Sequence, residues 1–143
     1  MKDTFIPSKT FIRKQWYIID ANNKTLGRLA TEVACFLRGK KKSYFTPYLD
    51  TGDYVIVINS SKINVTGNKK SEKLYKMHSG QPGGLKIESF EKLKKRLPNR
   101  IIEEAIKGML PKNRLGREIF QKLYIYSTDS HPHQAQKPEK INL

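Results

Sequence analysis

Short apolar runs and helical stripes alternate along the first half of the chain. The run Trp16–Asp20 is followed by a polar turn, which predicts a buried strand that ends there. Thr25 is a suitable N-cap, and apolar residues then recur at helical spacing until Gly39. The run Tyr54–Ile58 has no polar alternation, which is typical of a strand covered on both faces. Strand, helix and strand in this order predict a parallel pair joined by a right-handed crossover.

Further helical stripes follow in the second half. Residues 59–88 are rich in Gly, Lys, Ser and Asn and contain only short apolar stretches. A helix is predicted to begin at Glu88 or Ser89, and Pro98 suits the first turn of a second helix. The inner face of the first helix is predicted to hold Phe90, Leu93 and Leu97. The stripe of the second comprises Ile101, Ile102, Ala105, Ile106, Met109 and Leu110.

The pattern as a whole predicts a single α/β domain over residues 1–143. Residues 113–120 are predicted to form a further short helix capped by Asn113, and residues 123–126 a last strand. Helices between strands favour a three-layer α/β/α arrangement around a small, mostly parallel central sheet. We divide the domain into a basic N-terminal arm (1–14), an α/β core with basic loops (15–126) and an extended polar tail (127–143).

The net charge of the chain narrows the class of molecule that it is expected to bind. The chain has 28 Lys and Arg residues against 13 Asp and Glu, a formal net charge of +15 at pH 7. Such an excess is repulsive within a compact domain and favours a polyanionic partner. Aromatic residues make up 10% of the chain, which argues against a disordered basic tail.

Simple counts exclude several classes of protein. Cys35 is the single cysteine, so no internal disulfide is expected and a reducing compartment is favoured. No apolar run approaches the roughly 18 residues of a membrane span. The N-terminus lacks the apolar stretch of a secretory signal. We therefore expect a soluble, intracellular domain with no membrane partner.

Candidate catalytic motifs are weak. The first strand-to-helix turn contains one glycine, Gly27, where a dinucleotide fold needs several, and residues 67–71 lack the upstream glycine of a phosphate loop. Asp50 and Asp53 could form a carboxylate pair for acid–base chemistry. Their spacing around Gly52 is more typical of a turn in which the carboxylates accept backbone amides and the glycine takes a positive φ.

A metal centre is equally weakly supported. The three histidines are His78, His131 and His133, and Cys35 lies far from all of them in sequence. A structural zinc site needs four ligands, usually including thiolates. We expect no metal, no cofactor and no small-molecule substrate.

Clustered cations are the strongest functional signal. One run has four cations and no acid, and a second interleaves lysines with an aromatic residue before a histidine. Residues 62–117 contain 15 basic and 5 acidic side chains. A single run of this kind is often an ordinary solvated face, but repetition over helices, loops and tail favours phosphate neutralisation. The first run holds Arg38, Lys40, Lys41 and Lys42, and the second holds Lys69, Lys70, Lys73, Tyr75, Lys76 and His78.

Two segments are open to more than one interpretation. The glycine-rich stretch 79–84 fits either a flexible surface hairpin or a loop whose backbone amides approach phosphates. The tail fits either plain disorder or an arm that becomes ordered against a partner.

Several stretches form a recognisable series. In order they are WYIIDA (16–21), KTLGRLA (24–30), LRGK (37–40), TP (46–47), DTGD (50–53), VIN (57–59), VTG (65–67), HSGQPGGLK (78–86), KGMLPKNRLGR (107–117), HPH (131–133) and AQKP (135–138). This series covers roughly residues 15–138 and resembles the large-subunit ribosomal proteins of the L-thirteen family, bacterial and plastid type. Gln81 departs from the tyrosine common in the family, and Tyr48 from the more usual histidine.

The resemblance implies an α/β/α domain bound to 23S-type large-subunit rRNA and to neighbouring ribosomal proteins. It also implies a role in early subunit assembly and translation, with no enzymatic activity and no cofactor. In this family the lysine-rich loops and the glycine loop lie against RNA. The residues we expect to bind rRNA are Arg13, Lys14, Arg28, Arg38, Lys40, Lys41, Lys42, Lys69, Lys70, Lys73, Tyr75, Lys76, His78, Gly80, Gly83, Gly84, Lys86, Lys107, Lys112, Asn113, Arg114, Arg117, His131, His133 and Gln136.

Two alternatives to a ribosomal role remain. One is a free regulatory RNA-binding protein, and the other is a nucleotide-binding α/β enzyme. Alanine at Lys40, Lys41 and Lys42 is expected to weaken rRNA binding while leaving the thermal midpoint almost unchanged. The chain has 21 lysines, 7 arginines, 14 isoleucines and 8 asparagines. This bias suggests an A/T-rich coding genome, so we expect a plastid ribosome rather than a bacterial cytoplasm.

Overall fold

The computed structural model describes residues 5–8 and 10–143, so Met1–Thr4 and Lys9 of the predicted arm lie outside the described residues. The strands are β1 (Trp16–Asp20), β2 (Tyr54–Ile58), β3 (Leu74–His78), β4 (Leu85–Ser89), β5 (Leu123–Ile125) and β6 (Glu139–Ile141). The helices are α1 (Leu26–Arg38), α2 (Lys69–Glu72), α3 (Phe90–Arg96), α4 (Pro98–Met109) and α5 (Arg114–Phe120). Short 3-10 helices span Ser60–Lys62 and Gln134–Gln136.

Four parallel strands form the central sheet in the order β5-β2-β1-β6. Trp16 pairs with Tyr54 in the β1–β2 register, and Val55 pairs with Leu123 in the β2–β5 register. The prediction of an α/β fold around a small, mostly parallel sheet flanked by helices is confirmed. Strands β3 and β4 form a separate antiparallel hairpin. The sequence pattern offered a hairpin at residues 79–84 as one of two interpretations, but it did not predict these strands.

One face of the sheet packs against the helices. Ile19, Val55 and Val57 are fully buried there, in the same core as residues of α1, α3, α4 and α5. Because successive residues of a strand point to opposite faces, Trp16 and Tyr124 lie on the other side. That side is covered by the segment after β5, where the ring of His133 contacts both aromatic residues.

The tail is more ordered than predicted. Residues 139–141 form β6, which pairs in parallel with β1 through Tyr17 and Glu139, Ile18 and Lys140, and Ile19 and Ile141. This part of the predicted extended polar tail is therefore an edge strand of the central sheet. Its pattern of charged residues around one isoleucine is characteristic of an edge strand, which packs little side-chain surface.

The observed ends of the helices agree with the sequence prediction better than the observed buried faces do. Gly39 ends α1 with a φ of +77°, and Pro98 opens α4. Thr25 occupies the N-cap position of α1 but makes no side-chain cap hydrogen bond. Leu97 and Met109 are 41% and 45% exposed, so their predicted inward placement is wrong. Both residues lie at helix ends. The apolar stripe continues there in the sequence, but the helix end extends beyond the core.

Candidate nucleic-acid interface

Most cations of the loop after α1 lie at the surface, whereas one pairs with a buried carboxylate of the fold. Lys40 is exposed and makes no ion pair with any described residue. The amine of Lys41 lies 2.7 Å from the Glu32 carboxylate and 4.0 Å from the centre of the Phe36 ring. The guanidinium of Arg38 lies over the ring of Phe45. These three cations remain at the surface, where phosphates can reach them.

Lys42 has a different environment. Its side chain is 14% exposed, and its amine donates to the Asp53 carboxylate at 2.6 Å and to the backbone oxygen of Arg13 at 2.9 Å. The carboxylate of Asp53 also accepts the backbone N–H of Gln15 at 2.9 Å. The expectation that Lys42 is a surface cation like its neighbours is thus corrected: it neutralises a buried carboxylate of the fold.

Asp50 holds a second ionic contact beneath the surface. Its carboxylate accepts the amine of Lys122 at 2.5 Å and that of Lys14 at 2.7 Å. The buried amine of Lys122 also donates to the backbone oxygen of Leu37 at 3.2 Å. Burial alone would raise the pKa of Asp50, but the hydrogen bonds from Lys122 and Lys14 outweigh it and hold that pKa below its usual range. Burial lowers the pKa of Lys122, and the Asp50 carboxylate opposes that shift.

The segment from Asp50 to Asp53 therefore forms an ionic junction, in which its two carboxylates bind lysine amines from other segments. The backbone N–H of Gly52 donates to the Asp50 carboxylate at 3.3 Å, in agreement with the predicted turn. Gly52 does not take a positive φ, contrary to expectation. A glycine is needed because a Cβ would lie 1.6 Å from the backbone oxygen of Leu37. The junction joins the arm at Lys14, the loop at Lys42 and the residue that precedes β5, which positions the exposed Arg13.

Tyr75 lies inward rather than on the surface. Its ring packs near Phe90 with centroids 6.5 Å apart, and the amine of Lys73 lies 5.2 Å from its centre. Burial, with a smaller contribution from Glu104, raises the pKa of Tyr75 to about 12. Tyr75 therefore packs towards the core between lysines that are exposed.

The glycine stretch is the turn of the β3–β4 hairpin. Gly80 and Gly83 have φ values of +88° and +72°, and the Ser79 amide donates to the Gly84 oxygen at 3.3 Å. Positive φ is disfavoured for residues with a Cβ, so the turn requires both glycines. The hairpin presents exposed cationic and imidazole side chains along its length: Lys76, His78 and Lys86.

Exposed apolar residues on this hairpin were not found from the sequence. Leu74, Leu85 and Ile87 are 52%, 52% and 50% exposed. The register places them on the same face as Lys76 and His78. The alternation of apolar and polar residues in 85–88 was the available signal, but the surrounding lysines obscured it.

Residues 107–117 form the junction of α4 and α5. The side chain of Asn113 accepts the backbone N–H of Gly116 at 2.8 Å, which confirms it as the N-cap of α5. A Cβ on Gly116 would lie 1.8 Å from the backbone oxygen of Pro111. Around this fixed turn the cationic side chains are exposed: Lys107, Lys112, Arg114 and Arg117.

The two tail histidines belong to the aromatic face of the sheet. His133 Nε2 and the Tyr126 hydroxyl are 2.8 Å apart, and the ring lies beside Trp16. The backbone N–H of His133 donates to His131 Nδ1 at 3.2 Å. Gln136 is exposed in the following 3-10 helix. These contacts dock the start of the tail onto the sheet.

Three predicted cations from two segments of the chain share one groove. Arg28 comes from the first turn of α1, Lys69 from α2 and Lys73 from the residue after α2. All three side chains are exposed, as is that of Lys70, which follows Lys69 in α2. The remaining predicted cations lie on other elements, so the structure does not gather all of them at one place.

Within residues 5–8 and 10–143, no helix is long and apolar enough to cross a bilayer. The same residues contain no group of three or more His, Cys, Asp or Glu side chains that could hold a metal ion. The fold and its charges define a class: a basic α/β domain whose loops, hairpin and helix ends form a surface suited to a polyanion.

Comparison with known proteins identifies the family. The family model described as ribosomal protein L13 matches residues 14–132. This chain therefore belongs to the ribosomal protein L13 family.

Relatives in cyanobacteria are similar along the whole chain. The "Large ribosomal subunit protein uL13" of Trichormus variabilis is 54% identical over 143 residues, which cover all of this chain and 95% of that protein. Proteins of the same name from a Synechococcus strain and from Gloeothece citriformis are each 59% identical with the same coverage.

Proposed function

We propose that this chain is a structural constituent of the large ribosomal subunit. In this role it binds 23S-type rRNA and neighbouring ribosomal proteins and supports early subunit assembly and translation, without catalysing a reaction. The observation that carries the proposal is the full-length identity of 54–59% to large-subunit proteins named uL13. A net charge of +15 on a folded α/β domain supports it independently.

Direct contact with rRNA belongs to the exposed cations. Folded RNA presents phosphates and 2′-hydroxyls more readily than base edges, so most contacts are expected at the backbone. Lysine, the more common cation here, acts as a compact point charge, whereas arginine suits planar bidentate recognition. The residues assigned to direct contact are Arg13, Arg28, Arg38, Lys40, Lys41, Lys69, Lys70, Lys73, Lys76, His78, Lys86, Lys107, Lys112, Arg114, Arg117 and Gln136.

The remaining predicted residues act by holding that surface in shape. Lys42 neutralises Asp53, Lys14 neutralises Asp50 and Asn113 caps α5. Tyr75 packs against the core, and His133 docks the tail onto the sheet. The hairpin turn depends on its glycines, and His131 accepts a backbone N–H of the tail. Each of these contacts fixes a cationic segment relative to the core.

We also propose a plastid ribosome as the location. The excess of 21 lysines over 7 arginines, with 14 isoleucines, is typical of an A/T-rich coding genome. Similarity to cyanobacterial proteins suits a plastid as well as a bacterium. Mapping the gene to a plastid genome would support this location, and finding it on a bacterial chromosome would overturn it.

The salt dependence of rRNA binding tests the proposed mode of binding. We expect the affinity of the purified chain for deproteinised large-subunit rRNA to fall steeply between about 50 and about 200 mM KCl. The slope of log K against log[salt], measured by filter binding, should be about −0.7 to −0.9 per phosphate neutralised. The variant K40A/K41A should reduce that slope by about one for each phosphate that it no longer neutralises. An affinity almost independent of salt would contradict the proposal.

A further inference from the structure

A groove of about 860 Å³ lies between the start of α1 and the end of α4. Its size falls within the range of sites that accept small organic ligands. The lining combines apolar and charged side chains: Thr25, Leu26, Gly27, Arg28, Val65, Thr66, Lys69, Glu72, Lys73, Ala105 and Met109. Apolar and cationic side chains therefore border the same concave space.

The charged side of the groove favours an anion. Arg28 comes from α1, Lys69 and Lys73 come from α2 and its C-terminal end, and all three are exposed at the rim of the groove. None of the three forms an ion pair with a described residue, and Glu72 is the one acidic residue among the lining residues. A phosphate group placed among these cations would gain favourable electrostatic contacts without displacing a carboxylate of a described residue.

The opposite wall favours a flat apolar group. Val65 and Ala105 are half-buried and pack against the core, so they form a fixed surface. Met109 is 45% exposed at the end of α4, and the Thr31 hydroxyl lies 3.7 Å from its sulfur. A thioether makes favourable contacts with aromatic rings, including those of nucleobases. Phosphate neutralisation alone does not require such a wall.

We propose that this groove binds one unpaired nucleotide of the large-subunit rRNA. The base lies against Val65, Ala105 and Met109, and its phosphate contacts Arg28, Lys69 and Lys73. The inference rests on the proposed function, because it takes rRNA as the partner. It adds that this site distinguishes an unpaired nucleotide from a duplex, whose bases are stacked and paired and cannot enter the groove.

The substitution M109K separates base contact from simple charge attraction. A surface that only attracts phosphates would bind rRNA more tightly with one more lysine. A groove that holds a base would have its apolar wall disrupted, and we expect affinity for deproteinised 23S-type rRNA to fall about tenfold. The matched control is L97K, which adds the same charge to a similarly exposed apolar residue outside the groove. It should bind as tightly as the unmodified chain or slightly more tightly.

Methyl NMR gives a second readout that does not depend on overall affinity. The chain labelled at its three methionine methyl groups is titrated with single-stranded hexaadenylate, with a six-base-pair RNA duplex and with inorganic phosphate. We expect the single strand to shift the Met109 signal strongly and the duplex and phosphate to shift it little. Met77 lies on the hairpin outside the groove, between Lys76 and His78, so a shift of its signal reports RNA bound to the hairpin and is read separately from the Met109 shift.

Each negative result has a distinct meaning. If M109K and L97K bind rRNA equally well, or if the duplex shifts Met109 as much as the single strand does, the nucleotide site is wrong while the ribosomal function stands. If neither RNA shifts Met109, the groove does not hold a base and the proposal fails. If the unmodified chain does not bind rRNA at all, the proposed function itself has failed.

Discussion

Asp50 and Asp53 are carboxylates whose sequence spacing suggested either a catalytic pair or a turn. The structure shows that each accepts a lysine amine from another segment, Lys122 for Asp50 and Lys42 for Asp53. Breaking a buried ion pair by removing one partner is strongly destabilising, since the other charge is left without compensation. In a chain with a charge of +15, two carboxylates beneath the basic loops also reduce local repulsion.

We expect acid pH to lower the stability of the folded chain because Asp50 becomes protonated. Its pKa is held below the usual range in the folded state, so the folded chain binds fewer protons than the unfolded chain in acid. The stabilisation is therefore complete above the unfolded pKa of about 3.9 and is lost as pH falls through the folded pKa. We expect the free energy of unfolding, measured with urea, to decrease as pH is lowered from about 4.

The variant D50N tests whether Asp50 causes this dependence. It should be less stable at neutral pH, because buried Lys122 loses its counter-charge, and its stability should fall less steeply in acid. The control D129N changes an exposed carboxylate that makes no ion pair with a described residue and should retain the full dependence. A D50N variant with the acid dependence of the unmodified chain would contradict this assignment.

At the scale of elements, the loop 38–42 holds exposed lysines that we propose bind rRNA and one lysine, Lys42, that pairs with Asp53. We expect K40A/K41A to weaken rRNA binding while the thermal midpoint stays within about 2 °C, because surface ion pairs contribute little to stability. K42A should instead cost about 3 kcal/mol, since it leaves Asp53 buried without its amine partner. Filter binding and thermal unfolding of the same preparations separate the two effects. Equal loss of stability in both variants would contradict the division of this loop.

The elements that sequence could predict are those with strong periodicity. Strands β1 and β2 are continuous apolar runs, and α1 has a regular stripe ended by Gly39, so local pattern and tertiary packing agree. Strands β3 and β4 were missed because their apolar residues remain exposed among lysines and glycines. Strand β6 was missed because it pairs at the sheet edge and packs little side-chain surface.

The basic character of the interface could be predicted from sequence, but the role of each cation could not. Lys40 and Lys42 stand two residues apart in the same lysine run, yet Lys42 meets Asp53 across a loop closed by tertiary structure. The groove is likewise invisible in sequence, because Arg28, Lys69 and Met109 converge only after α1, α2 and α4 pack together. The local sequence shows how many charges a segment carries. The partner of each charged side chain depends on contacts between residues that are distant in sequence.

For the whole molecule, the structure explains how a strongly charged chain retains a fold. The core is compact and apolar, the sheet is parallel and buried on the helix side, and cations occupy loops, a hairpin and helix ends. Self-repulsion at the surface is relieved when phosphates neutralise it, so the assembled state is the favoured one. We expect a domain built in this way to act as a rigid scaffold for rRNA.

Sedimentation of a native lysate tests this account most directly. The lysate is separated on a sucrose gradient with the chain detected by antibody, beside samples depleted of magnesium or raised in salt. The account predicts that the chain travels with the large subunit, resists moderate salt, and follows the large subunit when magnesium depletion separates the two subunits. A chain that stays at the top of the gradient with free proteins would contradict it.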